Sequence, residues 1–306
     1  MKNKVVLIGC GNVGMSYAYA LLNQSTAVNE LVLIDLNKKR IEGEVMDLNH
    51  CLAFAPSKID IKAGDYSDCK NAKIVVIAAG ANQDIGETRN DLIYKNAKIF
   101  KEIISKVMNE GFDGIFLVAT NPLDVMTYLT YKYSKLPSNQ VIGTGTSLDT
   151  SRLRYMLGEK LNMNPKNMHA YVIGEHGDSE FVLWSKALVG TENINKFITK
   201  NEMNNIEINV RDAAYEIINR KGATYYGIGM CLVRITNAIL NNENSIITVS
   251  TYNRENNVYI GLPTVINKNG ADRKIFVELN EEEKNKLQNS IALIKEVIGR
   301  CDYEIK

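Results

Sequence analysis

No charge of either sign dominates this chain: 36 basic residues face 35 acidic ones, a formal net charge of +1. So close a balance provides no global field to hold nucleic acid or an anionic membrane, and the expected partners are small molecules or further copies of the chain. Cysteine is scarce and unpatterned. Cys10, Cys51, Cys69, Cys231 and Cys301 are odd in number and have neither metal-ligand nor redox-motif spacing. Most of them are expected to be free thiols in a reducing, cytoplasmic compartment, with no metal bound. Long apolar runs are missing as well. The short one that follows Met-Lys-Asn-Lys ends at Gly9; it is too brief for a membrane span, lacks a small-residue cleavage site, and reads as a strand. Low-complexity segments and internal repeats are absent, and there are only three histidines.

What is present points to two domains. The chain has 306 residues, 45% of them hydrophobic, which is more than one core usually serves. Apolar runs of strand length fall at Val5 to Ile8, Leu31 to Ile34, Ile74 to Ala78 and Ile115 to Val118. The intervals between them leave room for crossover helices, which implies a buried parallel sheet. The predicted fold is α/β, with a doubly wound Rossmann-type sheet over residues 1–143 and an α+β substrate domain over 144–306. In the second part the rhythm becomes helix, strands near 169–173 and 181–183, helix, and hairpin-like segments from 246 to 279. A closing amphipathic helix follows, with Asn280 as N-cap and Glu281 to Glu283 at the positive end of its dipole.

Gly9-Cys-Gly11-Asn12-Val13-Gly14 lies between the first strand and a helix. Alone such a motif is weak, yet each glycine fits a job: a tight turn at Gly9, close approach of a pyrophosphate at Gly11, and close helix–strand packing at Gly14. The helix that follows offers unpaired N–H groups to phosphates. Asp35 comes 21 residues after Gly14, at the end of the second strand. Its carboxylate can accept from both adenine-ribose hydroxyls and would repel a 2′-phosphate, which favours NAD over NADP.

Three further segments carry chemistry. Gly80-Ala-Asn-Gln83-Asp84-Ile85-Gly86-Glu87-Thr88-Arg89 follows the third core strand and has glycines suited to the hinges of a lid. Asp149 and Arg152 share one face if helical, and by themselves read as an ordinary salt bridge. His176 occupies a glycine-flanked turn, Gly174-Glu-His-Gly-Asp178, after a predicted strand from Ala170 to Ile173.

Together with Thr120-Asn121-Pro122 and Lys221-Gly-Ala-Thr224-Tyr-Tyr226-Gly, these segments resemble the L-lactate dehydrogenase branch of the lactate/malate dehydrogenase family nearly end to end. The resemblance implies NAD as cofactor, bound by Gly9, Gly11, Asn12, Val13, Gly14, Asp35, Gly80 and Asn121. It implies His176 as the group that gives a proton to the pyruvate carbonyl and recovers it from lactate, a task suited to an imidazole titrating near neutrality. Asp149 would fix the tautomer of that ring and favour its charged form. Arg152 would grip the substrate carboxylate in a two-pronged pair, Arg89 would polarise the carbonyl once water is expelled, and Asn121 would add a hydrogen bond.

Gln83 selects the substrate within the family. The malate branch carries an arginine there to pair a second carboxylate, whereas a neutral amide tolerates a methyl group, so pyruvate is expected over oxaloacetate. Thr224 would limit side-chain size and disfavour branched 2-hydroxy acids. Arg154 points roughly 200° around a helix from Arg152, and the resemblance pairs it with His169 as a fructose 1,6-bisphosphate site at a subunit interface. A surface arginine and an ordinary strand histidine are the equal alternative. The family is typically homotetrameric. Departures from its pattern are Asp84-Ile85 in the loop, Ser147 where asparagine is common, and the segment Asn267 to Lys274. Rival readings are a malate or 2-hydroxyisocaproate dehydrogenase, an NAD-requiring glycosidase, which would need a cysteine–histidine metal site, and a catalytically silent NAD-binding protein.

Overall fold

The computed structural model describes residues 2–81 and 89–304. Its first half lays down β1 (Lys4–Ile8), α1 (Asn12–Leu22), β2 (Glu30–Ile34), α2 (Lys38–Cys51), β3 (Asp60–Ala63), β4 (Ile74–Ile77), α3 (Arg89–Asn109), β5 (Ile115–Val118), α4 (Leu123–Ser134) and β6 (Val141–Gly143). The six strands are parallel neighbours in the order β3-β2-β1-β4-β5-β6. That is the doubly wound arrangement, whose strand order reverses between β1 and β4.

All four apolar runs are strands. Because successive side chains point to opposite faces, Val6, Ile8, Val75, Ile77, Phe116 and Val118 enter one core with Phe100 of α3 and Leu129 of α4. Val5, Leu7, Ile74, Val76, Ile115 and Leu117 enter another with Tyr17 and Leu21 of α1. Removing one such ring, as in Phe116→Ala, typically costs about 3–5 kcal/mol. Two strands gave no apolar signal: β3 buries only Ile61 of its four residues, and β6 has three residues.

The second half comprises α5 (Ser147–Leu161), the two-residue strands β7 (Met168–His169), β8 (Val172–Ile173), β9 (Phe181–Val182), β10 (Leu188–Val189) and β11 (Glu192–Asn193), then α6 (Lys200–Lys221), α7 (Tyr226–Leu240), β12 (Ser245–Asn253), β13 (Val258–Asn267), β14 (Gly270–Lys274) and α8 (Glu281–Glu304). The large sheet continues across residue 143, since β12 pairs antiparallel with β6 through Ser250 and Gly143, and β13 and β14 follow as a meander. α7 lies on α1, where Tyr17 and Thr236 share a buried 2.9 Å hydrogen bond. The apolar residues Ile291, Ile294 and Ile298 of α8 join the core of α3 and α4.

The single strand expected near 169–173 is two, in different small sheets: β7 pairs with β10 and β8 with β9. Side chains of α5 take up backbone groups at the break, with Arg154 Nε donating to the Ala170 carbonyl (3.1 Å) and the Val172 N–H donating to Thr150 Oγ1 (3.0 Å). The hairpin region ends at Lys274, short of 279. Its unusual Asn267–Lys274 stretch still forms a hairpin, with Gly270 at φ +92° and a register shift beside Ile266. Asn280 caps α8 reciprocally with Glu283: each side chain accepts from the other's backbone N–H, at 2.9 and 3.1 Å. The five cysteines form no disulfide with one another. Among the described residues no helix is long and apolar enough to cross a membrane.

Candidate active site

The site grows from the carboxyl ends of β1, β4 and β5, at the reversal of strand order. Gly9 has φ +97°, and a Cβ there would fall 2.3 Å from the Ala79 nitrogen, so only glycine makes this turn. A Cβ on Gly14 would lie 2.1 Å from the Gly9 carbonyl oxygen, which seats α1 tightly on the strand. Gly11 differs: a Cβ there would meet nothing within 4 Å. It is exposed at the N-terminus of α1, next to exposed Asn12 and half-buried Val13, with no side-chain cap and no acidic residue in the first turn. An open, uncapped helix start of this kind suits a pyrophosphate. Asp35 follows β2 directly and accepts from the Cys10 N–H (2.8 Å) and the Asn37 N–H (3.1 Å), holding its carboxylate beside the turn. Cys10 itself is buried and its thiol is pushed up to about 12 by that burial and by the Asp35 charge, so it is packing.

Hydrogen bonds brace the β4 and β5 loops beside this turn and, separately, join the start of α4 to the histidine. Thr120 Oγ1 donates to the Ala79 carbonyl (2.8 Å). Asn96 of α3, buried, accepts from the Ala81 N–H (2.8 Å) and donates to the Asn121 carbonyl (3.1 Å), tying the β4 loop to the β5 loop. Gly80 is exposed between them, where a Cβ would crowd Thr120 Cγ2 at 2.9 Å. Exposed Asn121 precedes Pro122 across a cis peptide, and Asp124 then sits in the first turn of α4. One Asp124 oxygen accepts from the His176 N–H (2.8 Å) and the other from Ser250 Oγ of β12. Two halves of the chain therefore meet at Asp124.

His176 Nδ1 lies 2.7 Å from Asp149 Oδ2, and Arg152 donates through a guanidinium nitrogen to Asp149 Oδ1 at 2.8 Å. The expected salt bridge and the expected histidine partner are thus the same carboxylate, whose side chain is 1% exposed. Burial lowers the affinity of the imidazole for a proton, but the Asp149 charge and hydrogen bond, with Asp124 behind, more than offset it, and the His176 pKa is raised. Burial pushes Asp149 up, yet His176 and Arg152 together hold it below the usual carboxylate value. Asp124, without a cation in contact, is pushed by burial up to about 6.

Thr224 lies half-buried in the loop between α6 and α7. That loop is brought toward the start of α5 by Gly227, whose Cβ would be 2.7 Å from Leu148 Cδ1. Arg154 turns away from Arg152: its guanidinium carbon is 5.0 Å from the centre of the Tyr171 ring, while His169 is exposed on β7. Gln83 lies outside the described residues, as do the other residues of 82–88, Asp84 and Ile85 among them. Arg89 opens α3, and its side chain is also outside the described set.

Asn96, Asp124, Ser250 and Glu180 belong to the site although sequence reasoning missed them. Asn96 left a readable trace, an amide on the apolar stripe that runs Ile93, Ala97, Phe100, Ile104. Asp124 and Glu180 carried none, because acidic residues near helix starts and turns are common. Among the described residues, Asp149, His176 and Glu180 form the one grouping with the spacing of metal ligands. Within it Asp149 and His176 are already in direct hydrogen-bond contact, and Arg152 occupies the second Asp149 oxygen.

Comparison with known proteins agrees with this geometry. The family model for the lactate/malate dehydrogenase NAD-binding domain matches residues 3–143, and that for the lactate/malate dehydrogenase alpha/beta C-terminal domain matches 146–303. The chain is 54% identical to an L-lactate dehydrogenase of Geobacillus sp. (strain WCH70), covering 99% of this chain and 98% of that one. Among solved structures it is similar to a lactate dehydrogenase from a Medee basin deep-sea metagenome library (TM-score 0.96, 52% identity, 99% of both chains). It is also similar to the minor L-lactate dehydrogenase of Enterococcus mundtii in its ligand-bound form (TM-score 0.95, 43% identity, 97% of this chain and 98% of that one).

Proposed function

This chain belongs to the lactate/malate dehydrogenase family, and from that premise we propose that it is an NAD-dependent L-lactate dehydrogenase that reduces pyruvate to L-lactate and runs the reverse reaction. The observation that supports the reading is the His176–Asp149–Arg152 group, with His176 bonded to Asp124 at the start of α4, on the same sheet edge as the glycine-rich turn and the β4 and β5 loops that Asn96 joins. It puts a dinucleotide cradle and a proton-transfer group on one rigid edge.

When bound, NADH supplies the hydride to the substrate's carbonyl carbon. Gly9, Gly11, Asn12, Val13 and Gly14 would hold its pyrophosphate, Asp35 its adenine ribose, and Gly80 and Asn121 would line the strand ends beyond. With Nδ1 engaged by Asp149, the other ring nitrogen, Nε2, gives its proton to the carbonyl oxygen, and the neutral imidazole recovers a proton from solvent or, in reverse, from lactate. Arg152 keeps one guanidinium nitrogen on Asp149 and uses its remaining donors for the substrate carboxylate. Arg89 polarises the carbonyl, Gln83 selects a methyl over a carboxylate, and Thr224 limits the size of the substrate side chain.

The reading divides the chain at 143/144 into a cofactor part and a substrate part. It brings with it a cytoplasmic setting, supported by cysteines that form no disulfide, pyruvate reduction at the end of glycolysis, and a homotetramer. Arg154 and His169 form the arm of a fructose 1,6-bisphosphate activator site, supported by their positions on neighbouring α5 and β7; the Tyr171 ring and the Ala170 carbonyl hold Arg154 until a phosphate competes for it.

The test is NADH oxidation at neutral pH with pyruvate and with oxaloacetate, each with and without fructose 1,6-bisphosphate. Strong pyruvate preference is expected, on the order of 10⁴-fold for a site that leaves a carboxylate facing an amide, together with activation by the bisphosphate. Equal or better turnover of oxaloacetate overturns the substrate assignment. An unchanged activity curve overturns the activator site.

A further inference from the structure

We propose that Glu180 is a positioning residue of this site: it stays a neutral carboxylic acid and donates its proton to Asp149, so that one negative charge orients both His176 and Arg152. The inference deepens the proposed proton-transfer role of His176 and rests on it.

Glu180 follows His176 by four residues and precedes β9. Its side chain is 5% exposed, and its Oε2 is 3.9 Å from His176 Nδ1, beyond hydrogen-bond reach of a ring nitrogen that Asp149 already engages at 2.7 Å. His176 Nδ1 and one carboxyl oxygen each of Asp149 and Glu180 all fall within 4.8 Å of one another, and both carboxyls are buried. Two carboxylates this close and this dry do not both ionise, because the repulsion and the desolvation of the second charge add.

The choice between them follows from their partners. Asp149 touches two cations, His176 and Arg152. Glu180 touches neither arginine closely; Arg152 and Arg211 of α6 act on it as weaker charges, and Arg211 Nε is engaged with Asp212 at 3.3 Å. Asp124 on α4 is acidic too and faces His176 from the backbone side, with Glu175 near it, and the buried Cys231 thiol of α7 lies near Asp149 and Arg152. The proton therefore stays on Glu180, and burial followed by the Asp149 charge holds that carboxyl well above the ordinary carboxylate range.

A carboxylate accepting from His176, Arg152 and Glu180 at once is a weak base. It holds the Nδ1 proton without taking it, and ring protonation then follows events at Nε2. An ionised Glu180 would instead add a second negative charge near Nδ1, bind the imidazolium proton more tightly, and move the alkaline limb of pyruvate reduction to higher pH.

The direct test is the infrared difference spectrum of wild type minus Glu180→Gln at neutral pH. It requires no turnover, so it decides the state of Glu180 even if the pyruvate reading fails, and Asp124 cancels in the difference. A protonated-carboxyl C=O band is expected; carboxylate bands in its place overturn the proposal. The second readout is the pH profile of pyruvate reduction. Glu180→Gln supplies a neutral N–H donor and should keep the alkaline limb in place, whereas a shift of that limb to lower pH by about a tenfold change in proton concentration means that a charge was removed and overturns the proposal. Glu180→Leu removes the donor, and its kcat should fall about tenfold below that of Glu180→Gln, the value of one hydrogen bond to a charged group; equal rates for the two variants also overturn it. If Glu180→Leu does not fold, the spectrum and the Gln profile decide.

Discussion

Replacing Asp149 by asparagine should slow pyruvate reduction at neutral pH by about 10- to 10⁴-fold while leaving NADH affinity close to wild type. The lower bound comes from charge. The Asp149 carboxylate meets His176 Nδ1 at 2.7 Å with its side chain 1% exposed, and a hydrogen bond to a charged group contributes about 1.5–3 kcal/mol, or roughly one to two orders of magnitude in the protonation equilibrium. Without that charge, burial dominates the imidazole and Asp124 offsets only part of it. The sign follows: the His176 pKa, raised in the native site, falls in the variant, so the alkaline limb of pyruvate reduction moves to lower pH and part of the loss is recovered in more acidic buffer. The upper bound comes from tautomer choice, since an asparagine amide can turn its NH₂ toward Nδ1 and lock the ring in the wrong form; an Asp→Asn exchange behind a catalytic histidine elsewhere costs about 10⁴. Arg152 loses its 2.8 Å partner at the same time, so KM for pyruvate should rise as well. Stopped-flow NADH oxidation across pH, with NADH binding followed by fluorescence, separates these effects. An alkaline limb that does not move, or a loss of rate matched by a loss of NADH affinity, refutes the assignment of Asp149 to the imidazole.

The glycines of the turn should behave differently from one another. Gly14→Ala places a methyl 2.1 Å from a backbone oxygen and should cost about 1–3 kcal/mol of stability, whereas Gly11→Ala enters open space and should melt within about 0.5 kcal/mol of wild type yet bind NADH at least several-fold more weakly; calorimetry with NADH titration distinguishes them. Asp35→Asn removes the charge facing the ribose site, so the ratio of kcat/KM for NADH over NADPH should fall by about tenfold or more, and an unchanged ratio would mean that Asp35 only braces the turn through Cys10. Asn96→Ala leaves the Ala81 N–H and the Asn121 carbonyl without their partner; each such group costs about 1–3 kcal/mol, and KM for both NADH and pyruvate should rise, as steady-state kinetics on the folded variant would show.

The sequence by itself determined the cofactor half of this protein. Its parallel strands are buried on both faces, so Val5 to Ile8, Ile74 to Ile77 and Ile115 to Val118 appear as unbroken apolar runs, and Gly9 and Gly14 are legible because no other residue fits where a Cβ would strike backbone. Asn280 and Glu283 were legible for a local reason too, a cap satisfied within one turn. Only the tertiary structure decided how the second half completes the site. Asp149 and His176 are 27 residues apart, Asp124 and Ser250 are 126 apart, and nothing in either neighbourhood encodes the pairing. Spacing alone left Asp149 and Arg152 as an ordinary salt bridge, Asp124 and Glu180 without a role, and residues 169–173 as one strand. Burial made those acids part of one charge balance with His176, because a carboxyl without water must find a cation or keep its proton, and which of the two it does depends on neighbours that the chain brings together only by folding.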